Sequence, residues 1–120
     1  MARSNASAKK AGAQFERDVA DYLNVHVDDR IDRRVKTGAN DKGDIAGVRV
    51  HGERMVIECK NRAQINLGTW ANEAEVERVN DGALTTAIVH KRHGKGQPGD
   101  QWVTLTLRDL VALITGVRPE

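Results

Sequence analysis

Two acids and an amine stand where an apolar chain should not carry them. The run Met55-Val56-Ile57-Glu58-Cys59-Lys60 reads as a buried β-strand with a carboxylate and an ammonium at its far end. Isolated buried charge is costly, and chains keep it where it is paired, bound to metal or engaged in chemistry. Residues two apart on a strand share a face, so Glu58 and Lys60 point the same way. Fourteen positions before Glu58, Gly43-Asp44-Ile45-Ala46-Gly47-Val48 brings a second acid into a second apolar strand. A turn at His51-Gly52 folds the two segments into a hairpin. That turn sets Asp44 opposite Cys59, give or take one residue, within reach of Glu58 and Lys60. Two converging carboxylates without thiols or a histidine cluster make an oxygen-rich site, which suits Mg²⁺. The backbone carbonyl of Cys59 would supply a further ligand. A divalent ion held there would polarise a scissile phosphate and acidify a ligated water. Lys60 would orient or deprotonate that water, or neutralise developing charge. The chemistry implied is metal-dependent phosphodiester hydrolysis.

A helix must stand in front of these strands. From about Ala13 to Asn24, Phe15, Val19, Tyr22 and Leu23 fall on one apolar stripe. Glu16 lies beside it, in line with Ala20 and Leu23, at the border of core and solvent. From there Glu16 would take a second ion or a water on the first. Each residue alone is ordinary. A Glu-x-Lys tripeptide is usually a surface ion pair worth under about 1 kcal/mol, and an aspartate after glycine is usually a turn residue. Their conjunction on two apolar strands and a stripe-bearing helix is not ordinary.

The 120 residues suffice for one domain with a modest core. Residues 1–12 are small, polar and basic and read as a flexible arm, leaving 13–120 as the single domain. Four aromatics, Phe15, Tyr22, Trp70 and Trp102, make the core aliphatic and argue against base stacking along a strand. Net charge is only +2, but cations gather at Arg3, Lys9 and Lys10, at Arg30, Arg33, Arg34, Lys36 and Lys42, and at Lys91, Arg92 and Lys95. Clusters folded onto one face would attract a phosphate backbone. One cysteine, Cys59, excludes a disulfide framework and fits a reducing, cytoplasmic setting. Neither a secretory leader nor a membrane span is expected.

Further strands are expected over Ile31–Thr37, Asp44–Val50, Arg54–Lys60, Leu84–His90 and Trp102–Leu107. Further helices are expected over Trp70–Asn80, capped by Thr69 with Trp70, Ala74, Val76 and Val79 inward, and over Arg108–Ile114, where Thr106 and Asp109 resemble a capping box. The order α-β-β-β-α-β-β-α predicts an α/β fold, a central mixed sheet flanked by helices. Arg33, Arg34, Lys36 and Lys42 are the foremost candidates for DNA-backbone contact, with Asn61 and Arg62 after them. Thr37 and Asn40 would either bind phosphate or simply form the turn.

Gly43-Asp44 and Glu58-Cys59-Lys60, preceded by Gln14-Phe15-Glu16-Arg17, resemble the PD-(D/E)XK nuclease superfamily. The helix-borne glutamate and the short chain are most similar to archaeal-type Holliday junction resolvases and their phage relatives. The resemblance spans about Ala13 to His90. It implies an endonuclease-like core, Mg²⁺ or Mn²⁺, a homodimer and cleavage of branched DNA. Asp44 and Glu58 then match the metal ligands, Lys60 the catalytic lysine and Glu16 the helix glutamate. Gly43 stands where the family name has proline. A related nuclease acting on flaps, ends or specific duplex DNA is the alternative, as is a noncatalytic DNA-binding module of the same fold.

Overall fold

Ser4 accepts a hydrogen bond from the Ser7 amide and starts a helix, α1, that runs Asn5–His26. The computed structural model describes residues 4–36, 38 and 40–120; Arg3 and Thr37, singled out above, lie outside them. Residues 5–12 are thus the first turns of α1 and not an arm. A serine cap followed by Ala6, Ala8 and Ala11 favours helix over coil, and the lysines between them do not oppose it. The inward face of α1 is Phe15, Val19 and Ala20, while Tyr22 is turned outward.

Beyond α1 come β1 (Asp32–Arg33), β2 (Ile45–Ala46), β3 (Arg49–Val50) and β4 (Glu53–Lys60). Then follow α2 (Leu67–Asp81), β5 (Thr85–His90), a 3₁₀ turn at Pro98–Asp100, β6 (Trp102–Thr104) and α3 (Leu107–Thr115). The sheet order is β1-β2-β4-β5-β6, with β3 also paired to β4. Only β4 and β5 are parallel, and α2 makes their crossover. The expected α/β class and mixed sheet are what the chain adopts, with the second expected strand split into β2 and β3.

The split has a physical cause. The His51-Gly52 turn has positive φ at both residues (53° and 74°), as a two-residue hairpin turn demands. It pairs Arg49 with Arg54 and Val50 with Glu53, in the expected register. Farther along, Ile45 pairs with Ile57, so the register has slipped by one residue. The extra residue is absorbed at Gly47 and Val48 as a bulge. Gly47 has φ +89°, and a Cβ there would lie 2.7 Å from the Arg30 carbonyl oxygen. Asp44 therefore lands beside Glu58 and not opposite Cys59.

β4 is covered on both faces. Met55, Ile57 and Cys59 join Phe15, Val19, Ala20, Ile45, Ala87 and Val89 beneath α1. On the other face, Trp70, Ala74 and Ile88 form a smaller cluster beneath α2. Asn66, not Thr69, caps α2, since its side chain accepts from the Thr69 amide. The buried residues of α2 are Trp70, Ala74, Glu77 and Asp81, whereas Val76 and Val79 are exposed. The Thr106–Asp109 capping box of α3 forms as expected, with the Thr106 hydroxyl accepting from the Asp109 amide at 3.2 Å. Among the described residues, no helix is long and apolar enough to cross a membrane.

The bulge yields a stability test. Gly47→Ala forces a non-glycine residue into a positive-φ site, costing about 1–3 kcal/mol before the clash with Arg30 is added. Urea unfolding at equilibrium measures it. A loss under about 0.5 kcal/mol, typical of neutral surface changes, would mean that the bulge does not fix the register.

Candidate metal centre

Asp44 is fixed by its own backbone before its side chain acts. Its amide donates to the Ile57 carbonyl (3.0 Å), and its carbonyl accepts from the Arg34 amide (2.8 Å). Its Oδ2 accepts the buried Cys59 amide at 2.8 Å. Gly43 just before it has φ +96°, which proline cannot adopt, and its N–H donates to Asp41 Oδ1 (2.9 Å). A Cβ at Gly43 would come within 2.7 Å of Val56 Cγ1. Glycine at this position is therefore required by the local backbone.

Glu58 stands beside Asp44 on β4, 5% exposed, and Lys60 follows on the same face. Helix α1 brings in Glu16, and α2 brings in Glu73 and Glu77. One cleft of about 580 Å³ is lined by Glu16, Asp44, Glu58 and Lys60 together with Asp41, Glu73 and Glu77. Its far wall is the α1 face Asn5, Ala8, Lys9, Gly12 and Ala13, whose small side chains leave the space open.

The cleft holds its charges by pairing. Lys36 Nζ contacts Asp44 Oδ1 and lies 3.7 Å from Glu16 Oε1. Arg33 donates to Glu16 Oε2 at 2.9 Å. Lys60 pairs with Glu73 at 2.7 Å. Burial, then the bonds and charges of Asp44 and Glu77, push the Glu58 carboxyl far above the ordinary glutamate range. Burial and Asp44 likewise raise Glu16. Burial also opposes ionisation of Asp44, but bonds from Glu58, Lys36 and the Cys59 amide outweigh it and hold Asp44 below its usual value. Burial works against the Lys60 ammonium, yet the bond to Glu73 and the charges of Glu58 and Asp44 raise its pKa and keep it charged. The Cys59 thiol is pushed up by burial and then by Asp44 and Glu58. It packs in the core and stays protonated.

Glu58 carries the tightest grouping. Oxygens of Asp41, Glu58 and Glu77 lie within 4.8 Å of one another, a cluster able to hold a metal ion. Glu77 is 4% exposed, and its Oε2 is buried without a hydrogen-bond partner. A hard cation satisfies that donor set. Asn80, one turn on, donates to the Asp41 carbonyl (2.9 Å) and ties the loop to α2. Asp41 and Glu77 were not anticipated as site residues. Asp41 is hidden among turn formers, but Glu77 had a signal: with Trp70, Ala74 and Asp81 it completes a helical stripe, an acid on a buried face.

The expected DNA contacts divide. Arg33, Lys36, Asn61 and Arg62 line the cleft. Arg34 and Lys42 face a separate pocket behind the loop, and Asn40 sits on the loop between. His90 is buried against Trp70 and bonds Thr104 Oγ1 at 2.8 Å, so its role is structural. His93 bonds the Arg62 carbonyl (2.9 Å).

The raised acids set a pH dependence. Folded Glu58 keeps its proton where the unfolded chain has lost it. The folded state then binds more protons, and stability falls as pH rises above the ordinary glutamate range toward the raised value. Glu16 and Glu77 shift in the same direction. In EDTA, the melting temperature should therefore fall from about pH 5 to about pH 8. Glu58→Gln should flatten the slope and melt higher than the parent at the upper end. A parent and variant with parallel profiles would show that Glu58 is not strained.

In comparisons across protein families, curated proteins and solved structures, no family model, no curated protein and no solved structure matches this chain.

Proposed function

We propose that the protein is a metal-dependent DNA endonuclease of the PD-(D/E)XK type acting on branched DNA, as a Holliday junction resolvase does. The observation that supports it is the convergence of Glu16, Asp44, Glu58 and Lys60, from three elements, in one cleft rimmed by cations. Asp44 and Glu58 would hold Mg²⁺ or Mn²⁺ with the Cys59 carbonyl, and Glu77 and Asp41 extend the oxygen set around Glu58. The bound ion supplies polarisation of a phosphoryl oxygen and a more acidic water. The chain's own residues do the rest. Lys60, held charged, neutralises the charge that develops on the scissile phosphate and orients the attacking water. Arg33 and Lys36 are within reach of the flanking phosphates once an ion takes over their carboxylates. Arg62 and Lys9 line the same cleft and would position the strand.

Paired incisions across a four-way junction call for two sites related by a two-fold axis. The face that fits a second copy lies at the β6 edge of the sheet. There Trp102 and Val103 are exposed beside the outward stripe of α3, Leu107, Leu110 and Ile114. The inner side of that helix buries Asp109 and Ala112 instead.

Two measurements test the reading. The purified protein is incubated with four-way, flap and linear duplex DNA, with and without Mg²⁺. Symmetric junction nicking that EDTA abolishes is expected. Preference for flaps or ends redirects the substrate, and binding without cutting under any divalent ion leaves only a DNA-binding module. Asp44→Asn and Glu58→Gln should stop cleavage but keep binding, and Lys60→Ala should slow it by about 10²–10⁴-fold. In sedimentation, Leu110→Glu with Ile114→Glu should turn a dimer into a monomer; an unchanged dimer places the contact elsewhere.

A further inference from the structure

Behind the loop that carries Lys36, the bulge at Gly47 opens a second pocket of about 230 Å³. Four cations line it, Arg34, Lys42, Arg49 and Arg54, against a single acid, Asp81. Asp81 is buried at the end of α2 and acts as a hub. Arg54 Nη1 donates to its carbonyl (3.0 Å) and lies 3.8 Å from its Oδ1, and Arg34 Nη2 lies 3.7 Å from its Oδ2. These contacts hold both guanidinium heads in the pocket without satisfying them. Arg34 Nε is buried and has no hydrogen-bond partner. Arg49 makes one long bond, to the Gly52 carbonyl at 3.4 Å. Lys42 has no partner among the described residues. One carboxylate cannot neutralise four cations, and the surplus favours an anion with several acceptor oxygens.

We propose that this pocket binds a second phosphate of the DNA strand whose scissile group sits in the acidic cleft; the assignment rests on the nuclease reading above. Geometry favours a shared substrate. Arg54 and Glu58 lie on the same strand, four residues and roughly 13 Å apart, about the rise of four nucleotides of one DNA strand. The loop from Arg34 to Gly43 borders both sites, with Lys36 facing the cleft and Arg34 and Lys42 facing the pocket. Both sites therefore open along one basic track. The hairpin becomes an anchor that fixes where the backbone enters. It carries no base-reading groups, so it positions the DNA without selecting sequence.

The test is binding of fluorescent four-way and duplex DNA across a salt series in EDTA. Arg49→Ala with Arg54→Ala should weaken binding at least 10-fold and lower the slope of log affinity on log salt by about 2, one unit per lost phosphate contact. Arg49→Glu alone, at an exposed position whose loss cannot unfold the chain, should move both readings the same way. Mn²⁺ titration should give the parent isotherm in both variants. Variants with parent affinity and parent slope overturn the proposal even if the parent cuts DNA. A variant-sensitive slope in a protein that cuts nothing keeps the pocket and removes the nuclease. Inorganic phosphate distinguishes a free anion: if it stabilises the parent through Arg49 and Arg54 while DNA binding ignores them, the ligand is phosphate alone and the DNA assignment fails.

Discussion

A carboxyl group buried between two others is the constraint around which the cleft is organised. Glu58 sits at the end of an apolar strand with Asp44 on one side and Glu77 on the other. Three such groups cannot all ionise in a dry site at ordinary pH without a cation among them. The protein answers with shared protons and with borrowed ammonium and guanidinium groups. Lys36 and Arg33 occupy Asp44 and Glu16, and Lys60 is turned toward Glu73. The cleft has the form of a place arranged for positive charge, temporarily served by the protein's own side chains.

Much of the architecture exists to hold that arrangement. The bulge at Gly47 corrects the hairpin register so that Asp44 meets Glu58. The left-handed backbone at Gly43 frees the Asp44 carboxylate to accept from Cys59 while both of its main-chain groups stay in the ladder. Helix α2 is the crossover between the parallel strands, and its inner face carries an acid at the level of Glu58. These are local departures from regular geometry, and they cluster where chemistry would need them.

The sequence made the centre of this picture legible because charge on an apolar strand is rare. Glu58, Lys60, Asp44 and Glu16 were all found by that argument, and all line one cleft. Other parts were hidden for identifiable reasons. Val76 and Val79 look like core on composition alone, yet the stripe that packs is Trp70, Ala74, Glu77 and Asp81. Counting valines as inward concealed Glu77. The register slip was signalled only by a glycine inside a strand. The basic, polar start of the chain resembled an arm because its lysines weighed more in the reading than its alanines and Ser4, which build a helix.

The cleft also has a wide footprint along the chain. Its acids come from α1, from the segment before β2, from β4 and from α2, and no neighbouring pair of elements contains it. Closing those distant segments onto one another is the slow, entropically expensive part of forming such a topology. A nascent chain emerging only as far as β4 would carry Asp44 and Glu58 but would lack the wall that α2 provides. Whatever the centre does, it begins to exist only when the last parallel pairing is made, so the unfinished polypeptide is spared an active site of its own.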